Sequence, residues 1–226
     1  RSPERHHWTG ADGEIVEAAF VGVIGDSVVL ESPRGKQIRL PLAQLTPEDR
    51  NYVGLAEPPT FNCSVTKQSS QRIIETTPFL NEVPPRLLDY TFGAKIRQTS
   101  ARAYPHTVHA ELFVLGQQRI DDRKYMLLDH QTSSFIPRNK NHRSHRFTGA
   151  VVELMSYDTD QPRGRKYSDY LLILTDERGQ LIQQHASADW IYPNLGNLRK
   201  LRVGNFLDET CVRVYPTGPG PKSLYY

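Results

Sequence analysis

The sequence predicts an all-β protein in two unequal parts. Three observations carry this. Short runs rich in Val, Ile, Leu and aromatic residues recur along the chain, with Gly and Pro turn signals between them. Only two stretches show helix signals, and both are brief. The charge also changes sign: residues up to Glu57 carry six Lys/Arg and nine Asp/Glu, while the rest carries 22 and 16. The pair Pro58-Pro59 stands at this change and stops any helix arriving from the left. The parts are therefore set at 1–57 and 58–216, with 217–226 as a loose tail rich in Gly and Pro.

A chain of 226 residues suits one or two domains at about 150 residues each. It is long enough to bury a core without a disulfide framework. No apolar run approaches the roughly 18 residues that a membrane helix needs. Two cysteines exclude a four-cysteine zinc site, and a net charge of +3 does not by itself indicate a nucleic-acid partner.

In the first part, Glu14 to Ile24 reads as a strand. Gly25-Asp26 turns the chain, and Ser27 to Glu31 returns. Pro33-Arg34-Gly35 makes a second turn before Lys36 to Leu40, which alternates polar and apolar residues. Thr46-Pro47-Glu48-Asp49 then supplies an N-cap hydroxyl, proline at the first helical position and acids in the first turn. A short helix is expected from Pro47 to about Gly54.

These residues carry a resemblance. Arg5, Trp8-Thr9, Gly13, Glu17-Ala18, Phe20, Gly25-Asp26, Val28, Leu30, Gly35-Lys36, Leu40-Pro41-Leu42, Leu45-Thr46, Asp49 and Tyr52-Val53 resemble the SLA homology domain of the first type. The resemblance spans residues 5–54 and implies a small SH3-like barrel closed by a helix. It further implies binding: the yeast adaptor module recognises Asn-Pro-Phe-type peptides, and bacterial copies occur in proteins of planctomycetes and verrucomicrobia, many of them exported. Candidate peptide-binding residues are Trp8, Phe20, Arg39 and Tyr52; aromatic side chains line the grooves of small barrels. Packing in the core or at the domain junction is the alternative for Trp8. Thr77-Pro78-Phe79-Leu80-Asn81-Glu82 resembles such a peptide, with Thr replacing Asn, and is a candidate occupant of the groove in the same or a second copy.

The second part gives a series of strands: Arg86 to Gln98, Thr107 to Leu115, Lys124 to Asp129, Phe147 to Tyr157, Tyr170 to Asp176 and Thr210 to Tyr215. Turn signals stand at Leu115-Gly116, Asp158-Thr159-Asp160 and Glu177-Arg178-Gly179. An immunoglobulin-like β-sandwich is the expected architecture. Leu195, Leu198 and Leu201 share one side of a helical turn, read as crossing between the sheets.

The chemical signals are sparse. Gly25-Asp26-Ser27 resembles the serine block of GDS-type esterases, but no late Asp-x-x-His follows, and Ser27 opens a strand and not a helix. Arg138, Lys140, Arg143 and Arg146 form the densest basic run, free of acids from Asp129 to Glu153, and are the candidate polyanion site. A solvated hairpin loop is the bland alternative. His142 and His145, and His106 and His109, are spaced three apart without further ligands, so no metal site and no cofactor are expected. Cys63 and Cys211 stand either as a disulfide between first and last strands or as two buried thiols.

The expected function is a non-catalytic binding or assembly protein of the bacterial envelope or surface. Its partner is a protein or peptide, which includes a second copy of itself. A polyanion or nucleic-acid binder is the alternative, and an esterase is the second alternative. The chain opens at Arg1 without methionine, so a trimmed, exported form is expected.

Overall fold

The computed structural model describes residues 5–10, 12–72, 74, 85–121, 123–157 and 163–215. The turn expected at Asp158-Thr159-Asp160, the candidate peptide 77–82 and the tail lie outside these residues. The described chain is all-β, and no helix in it is long and apolar enough to cross a membrane.

The first part is an antiparallel meander of β1 (Arg5–Thr9), β2 (Ile15–Ile24), β3 (Ser27–Glu31) and β4 (Gln37–Pro41). Gly25 and Gly35 turn the chain at φ of 61° and 74°, where a side chain would be strained. A 3₁₀ turn at Leu42–Gln44 then brings Leu45 back to bridge Gly10, and the Thr46 N–H donates to the Thr9 carbonyl at 3.2 Å. This return to β1 closes the sheet into a small barrel, so the first and last strands have no long free edge. Helix α1 (Pro47–Ala56) follows, with Thr46 as its N-cap and Pro47 in its first turn, as the sequence predicts. Trp8, Ala18, Val28, Leu30, Leu45 and Val53 form the barrel core. Strand β1 is not foreseen in the sequence: its His-His-Trp run lacks alternation, and it forms by pairing Arg5–Thr9 with Ile15–Ala19.

The second part begins after Pro58-Pro59. Its first eight elements are β5 (Phe61–Arg72), β6 (Arg86–Gln98), β7 (Val108–Gln118), β8 (Tyr125–Phe135), β9 (Ser144–Tyr157), β10 (Arg163–Thr175), β11 (Leu181–Ala186) and α2 (Leu195–Leu198). Two short strands, β12 (Phe206–Leu207) and β13 (Arg213–Val214), complete it. One layer is β5-β6-β9 and the other is β11-β10-β7-β8-β12-β13, all antiparallel. With β5 taken as A, β6 as B, β7 and β8 as C and C′, and β9 to β11 as E to G, this is the A-B-E and G-F-C-C′ order of an immunoglobulin-like sandwich. The two layers join at one corner, where Ser156 and Tyr157 of β9 pair with Gly164 and Arg163 of β10.

The larger layer is buried on both faces. Toward the smaller layer it presents Ala110, Leu112, Val114, Met126, Leu128, Leu172 and Leu174, which meet Phe92, Ala94, Ile96 and Leu154. On its other face Phe113, Leu115, Tyr125, Leu127, Leu171 and Ile173 pack under Ile191, Leu198, Leu201, Leu207 and Cys211. Helix α2 therefore covers the outer face of one layer and does not cross between the sheets, because Leu198 and Leu201 have a ready apolar surface there.

Other expectations are corrected. Leu115-Gly116 is not a turn: Gly116 lies inside β7, where a Cβ would sit 2.9 Å from a Leu128 methyl, so glycine serves close packing. Strands β5 and β11 were not anticipated, since their polar runs show little alternation, and the strand expected at Thr210 to Tyr215 shrinks to Arg213–Val214.

Gly164 stands at the corner with φ 97°, and a Cβ there would collide with the Met155 carbonyl oxygen. Gly164→Ala is expected to cost about 1–3 kcal/mol in urea unfolding. Gly179→Ala, at a similar φ of 77° but with open space around it, is expected to cost less.

Candidate functional site

The two parts meet along a seam built from the end of α1 and two connecting loops. Asp176, the residue after β10, is almost fully buried and bonds the Arg178 guanidinium and the backbone N–H groups of Arg178 and Gln180. Arg178, thus oriented, donates to the Leu55 carbonyl at 2.8 Å, while Arg102 donates to the Glu57 carbonyl. Both reach last-turn or C-cap carbonyls of α1, whose last C=O groups lack helical partners. On the other side of the linker, Gln183 of β11 pairs with both backbone groups of Phe61, at 3.0 and 2.9 Å. His106 is buried against Gly54: a Cβ on that glycine would lie 3.0 Å from Nε2. Its Nδ1 lies 3.1 Å from Glu177 Oε1. The Tyr104 hydroxyl beside it is buried without a hydrogen-bond partner among the described residues, and its pKa is pushed up to about 12 by burial first and then by Asp176 and Glu177.

Next to this seam opens a cleft of about 630 Å³. One wall comes from the barrel, with Pro41, Leu42, Val53 and Gly54; the other from the loop after β6, with Ala101, Ala103 and Pro105. Asp26, Arg50, Asn51 and Arg102 supply its polar groups. A mostly apolar cleft at a domain junction, with few polar groups, is the usual form of a recognition site. None of its residues is a groove residue expected from the sequence. Residue spacing gives no signal for it, since its two walls come from segments about fifty positions apart.

The expected groove residues divide. Trp8 is only 1% exposed, and its indole N–H donates to the Ala18 carbonyl at 3.0 Å, so it is a core residue. Phe20 and Tyr52 pack over it and stay half-buried. Arg39 stands apart: it pairs with Val29, whereas Phe20 pairs with Leu30, so strand alternation turns it to the opposite face. His6 stacks on Tyr52 at 4.4 Å and bonds Asp49 at 2.8 Å. Asp49 is buried; it also accepts from the Thr9 N–H at 2.6 Å and the Thr46 hydroxyl at 3.2 Å, tying helix to barrel.

The basic run connects β8 to β9, which lie in different layers, so it is a crossing loop and not a hairpin. His142 and Arg143 adopt left-handed backbone. Arg138, Lys140 and Arg146 are exposed, but the Arg143 guanidinium is engaged by the Ser100 carbonyl and the Asn139 side chain at 2.9 and 2.8 Å. His145 stacks on Phe135 and bonds Ser133 at 2.7 Å, and burial lowers its pKa. Of the two alternatives for the cysteines, the free thiols hold, with Cys211 buried and Cys63 half-buried. Cys63 sits on β5 and packs toward the inter-layer core, while Cys211 lies under α2 on the far face of the other layer. Burial pushes each thiol up to about 11. Ser27 opens β3 and pairs with Ile24 and Pro41, a hairpin position and not the helix start an esterase serine needs. Among the described residues no three metal-binding side chains cluster.

No protein-family model matches the chain, and no curated protein does. A crystal structure of a protein from Akkermansia muciniphila is similar over 58% of this chain and 73% of that one, at 10% identity and a TM-score of 0.25, a likeness too slight to carry an argument.

Two outcomes follow from the buried carboxylates. Asp49→Ala leaves the Thr9 N–H and His6 without their partner, and is expected to cost about 3 kcal/mol in urea unfolding. For Asp176, burial favours the neutral form, but its hydrogen bonds and Arg178 outweigh that and hold the pKa below its ordinary 3.8. The unfolded chain therefore takes up the proton first as pH falls. The stability that Asp176 supplies is complete above 3.8 and is lost as pH drops through its lower folded value. Asp176→Asn is expected to lower the melting temperature near neutral pH, with the gap to the natural protein closing as pH falls below 3.8.

Proposed function

We propose that this chain is a non-catalytic binding or assembly module that holds a peptide or protein segment in the cleft between barrel and sandwich. The observation that carries the reading is that cleft: apolar side chains of both parts form its walls, and Arg50, Asn51, Arg102 and Asp26 give a docked backbone polar contacts. An extended segment with a small apolar anchor beside an acidic residue suits these walls and the two guanidiniums. The barrel, a four-strand meander closed through a 3₁₀ turn, supports the SH3-like, SLA-homology reading of residues 5–54. A location at the bacterial envelope or surface belongs to the same proposal and rests on that resemblance.

Ala43 and Ala103 are exposed on opposite walls. Partners crosslinked to the full chain in its native cell would be identified by mass spectrometry. Ala43→Trp and Ala103→Trp each fill the cleft without touching a core, so each is expected to remove the captured partner while leaving the melting temperature within a few degrees. A partner retained by both variants would overturn the cleft as its site.

A further inference from the structure

A second concave surface lies on the sandwich, at the junction of α2 with the β12–β13 hairpin. It encloses about 720 Å³ and shares no lining residue with the cleft at the seam. Lys200, Arg202 and Arg213 converge on it, and no carboxylate lines it. All three are exposed, and among the described residues none of them pairs with an acid. Of the two acids in the hairpin, Glu209 is exposed but does not line the hollow, and Asp208 is turned inward: its Oδ1 accepts from the backbone N–H groups of Thr210 and Val212 and from the Thr210 hydroxyl, at 2.9, 3.1 and 2.6 Å. Arg213 lies over the Tyr215 ring at 4.8 Å, which holds the plane of the guanidinium while leaving its N–H edge for a ligand.

Three cations with no acid partner among the described residues repel one another in one hollow, and an anion with several charges relieves that repulsion. The volume is that of a small organic ligand and exceeds what one inorganic ion fills. Leu201 and Cys211 give an apolar floor. Asn197 Nδ2 donates to the Thr210 carbonyl at 3.1 Å, its Oδ1 lies 3.4 Å from Lys200 Nζ, and Asn205 Oδ1 accepts from the Arg202 N–H at 3.1 Å, so each amide is held in place with a remaining N–H that can donate to a sugar hydroxyl. Among the described residues no aromatic ring lines the hollow, and the neighbouring Tyr215 ring already has Arg213 over it, which disfavours single-stranded nucleic acid. We propose that the hollow lined by Lys200, Arg202, Arg213, Asn197 and Asn205 is a binding site for an acidic oligosaccharide, a short sugar chain bearing carboxylate or sulfate groups.

The test is calorimetric titration of the full chain with four probes: a heparin-derived tetrasaccharide, tetragalacturonate, neutral cellotetraose and an oligothymidylate of eight nucleotides. Binding of at least one acidic tetrasaccharide is expected, weakening as salt rises. Binding of tetragalacturonate assigns carboxylate as sufficient; binding of the heparin fragment alone assigns sulfate. The variant Lys200→Ala/Arg202→Ala/Arg213→Ala is expected to weaken it at least about tenfold. Arg34→Ala/Lys36→Ala/Lys95→Ala removes the same charge at exposed positions elsewhere and is expected to leave it within about twofold. Arg202→Ala alone gives a weaker loss in the same direction and serves should the triple variant fold poorly. Four results would overturn the site: no acidic tetrasaccharide bound at millimolar concentration, cellotetraose bound equally well, the oligothymidylate bound more tightly, or both triple variants weakened alike.

Discussion

The central layer of the sandwich must be covered on both faces, and the remaining architecture follows from that requirement. Leu112–Leu115, Tyr125–Leu128 and Leu171–Leu174 run side by side on three adjacent strands and bury every side chain. A strand alternates faces, so an unbroken apolar run places half of its side chains on each side. One half is covered by β5, β6 and β9; the other is covered by the segment from Ile191 to Cys211. Each buried Leu or Phe contributes roughly 1.5–3 kcal/mol, so neither cover is dispensable. This explains why a poorly patterned segment after β11, with only a four-residue helix, is nevertheless held in place.

Covering the outer face also creates the basic hollow. The hairpin that follows α2 lays Leu207 and Cys211 onto the sheet, and its polar residues are left around a depression. The cleft at the seam has a different origin. There, Asp176 fixes Arg178, and Arg178 and Arg102 hold carbonyls at the end of α1, while the linker is pinned through Phe61 and Gln183. These are hydrogen bonds between rigid elements, so the barrel packs against the sandwich through a few directional contacts. The space beside those contacts is left open and apolar.

Much of the fold was legible in the residues. The helix at Pro47 announces itself by Thr46, Pro47 and two acids, and β6 shows its bounds because Pro84-Pro85 precedes it and alternation sustains it. Strands β1, β5 and β11, which the sequence does not announce, are polar edge or near-edge strands, whose stability comes from ladder partners and not from their own pattern. The site was much less legible. Trp8 reads equally well as a groove residue and as a core residue, because an indole suits both. Only the depth of the barrel distinguishes them. Arg143 looks like its basic neighbours in the sequence, yet the crossing loop hands it the Ser100 carbonyl. The basic hollow did leave a trace, the run Arg199-Lys200-Leu201-Arg202, overlooked because Arg213 joins it only through the hairpin.

By itself the sequence determined the all-β class and most strand positions, because backbone preferences and side-chain alternation act over a few residues. Tertiary structure alone decided which surfaces face each other. It separated Cys63 from Cys211, turned Arg39 away from Phe20 and Tyr52, and formed both hollows from segments distant in the chain. The physical reason is that a hollow or a contact depends on the register and layering of whole strands, and these are set by the sum of buried area over many residues and not by any local pattern.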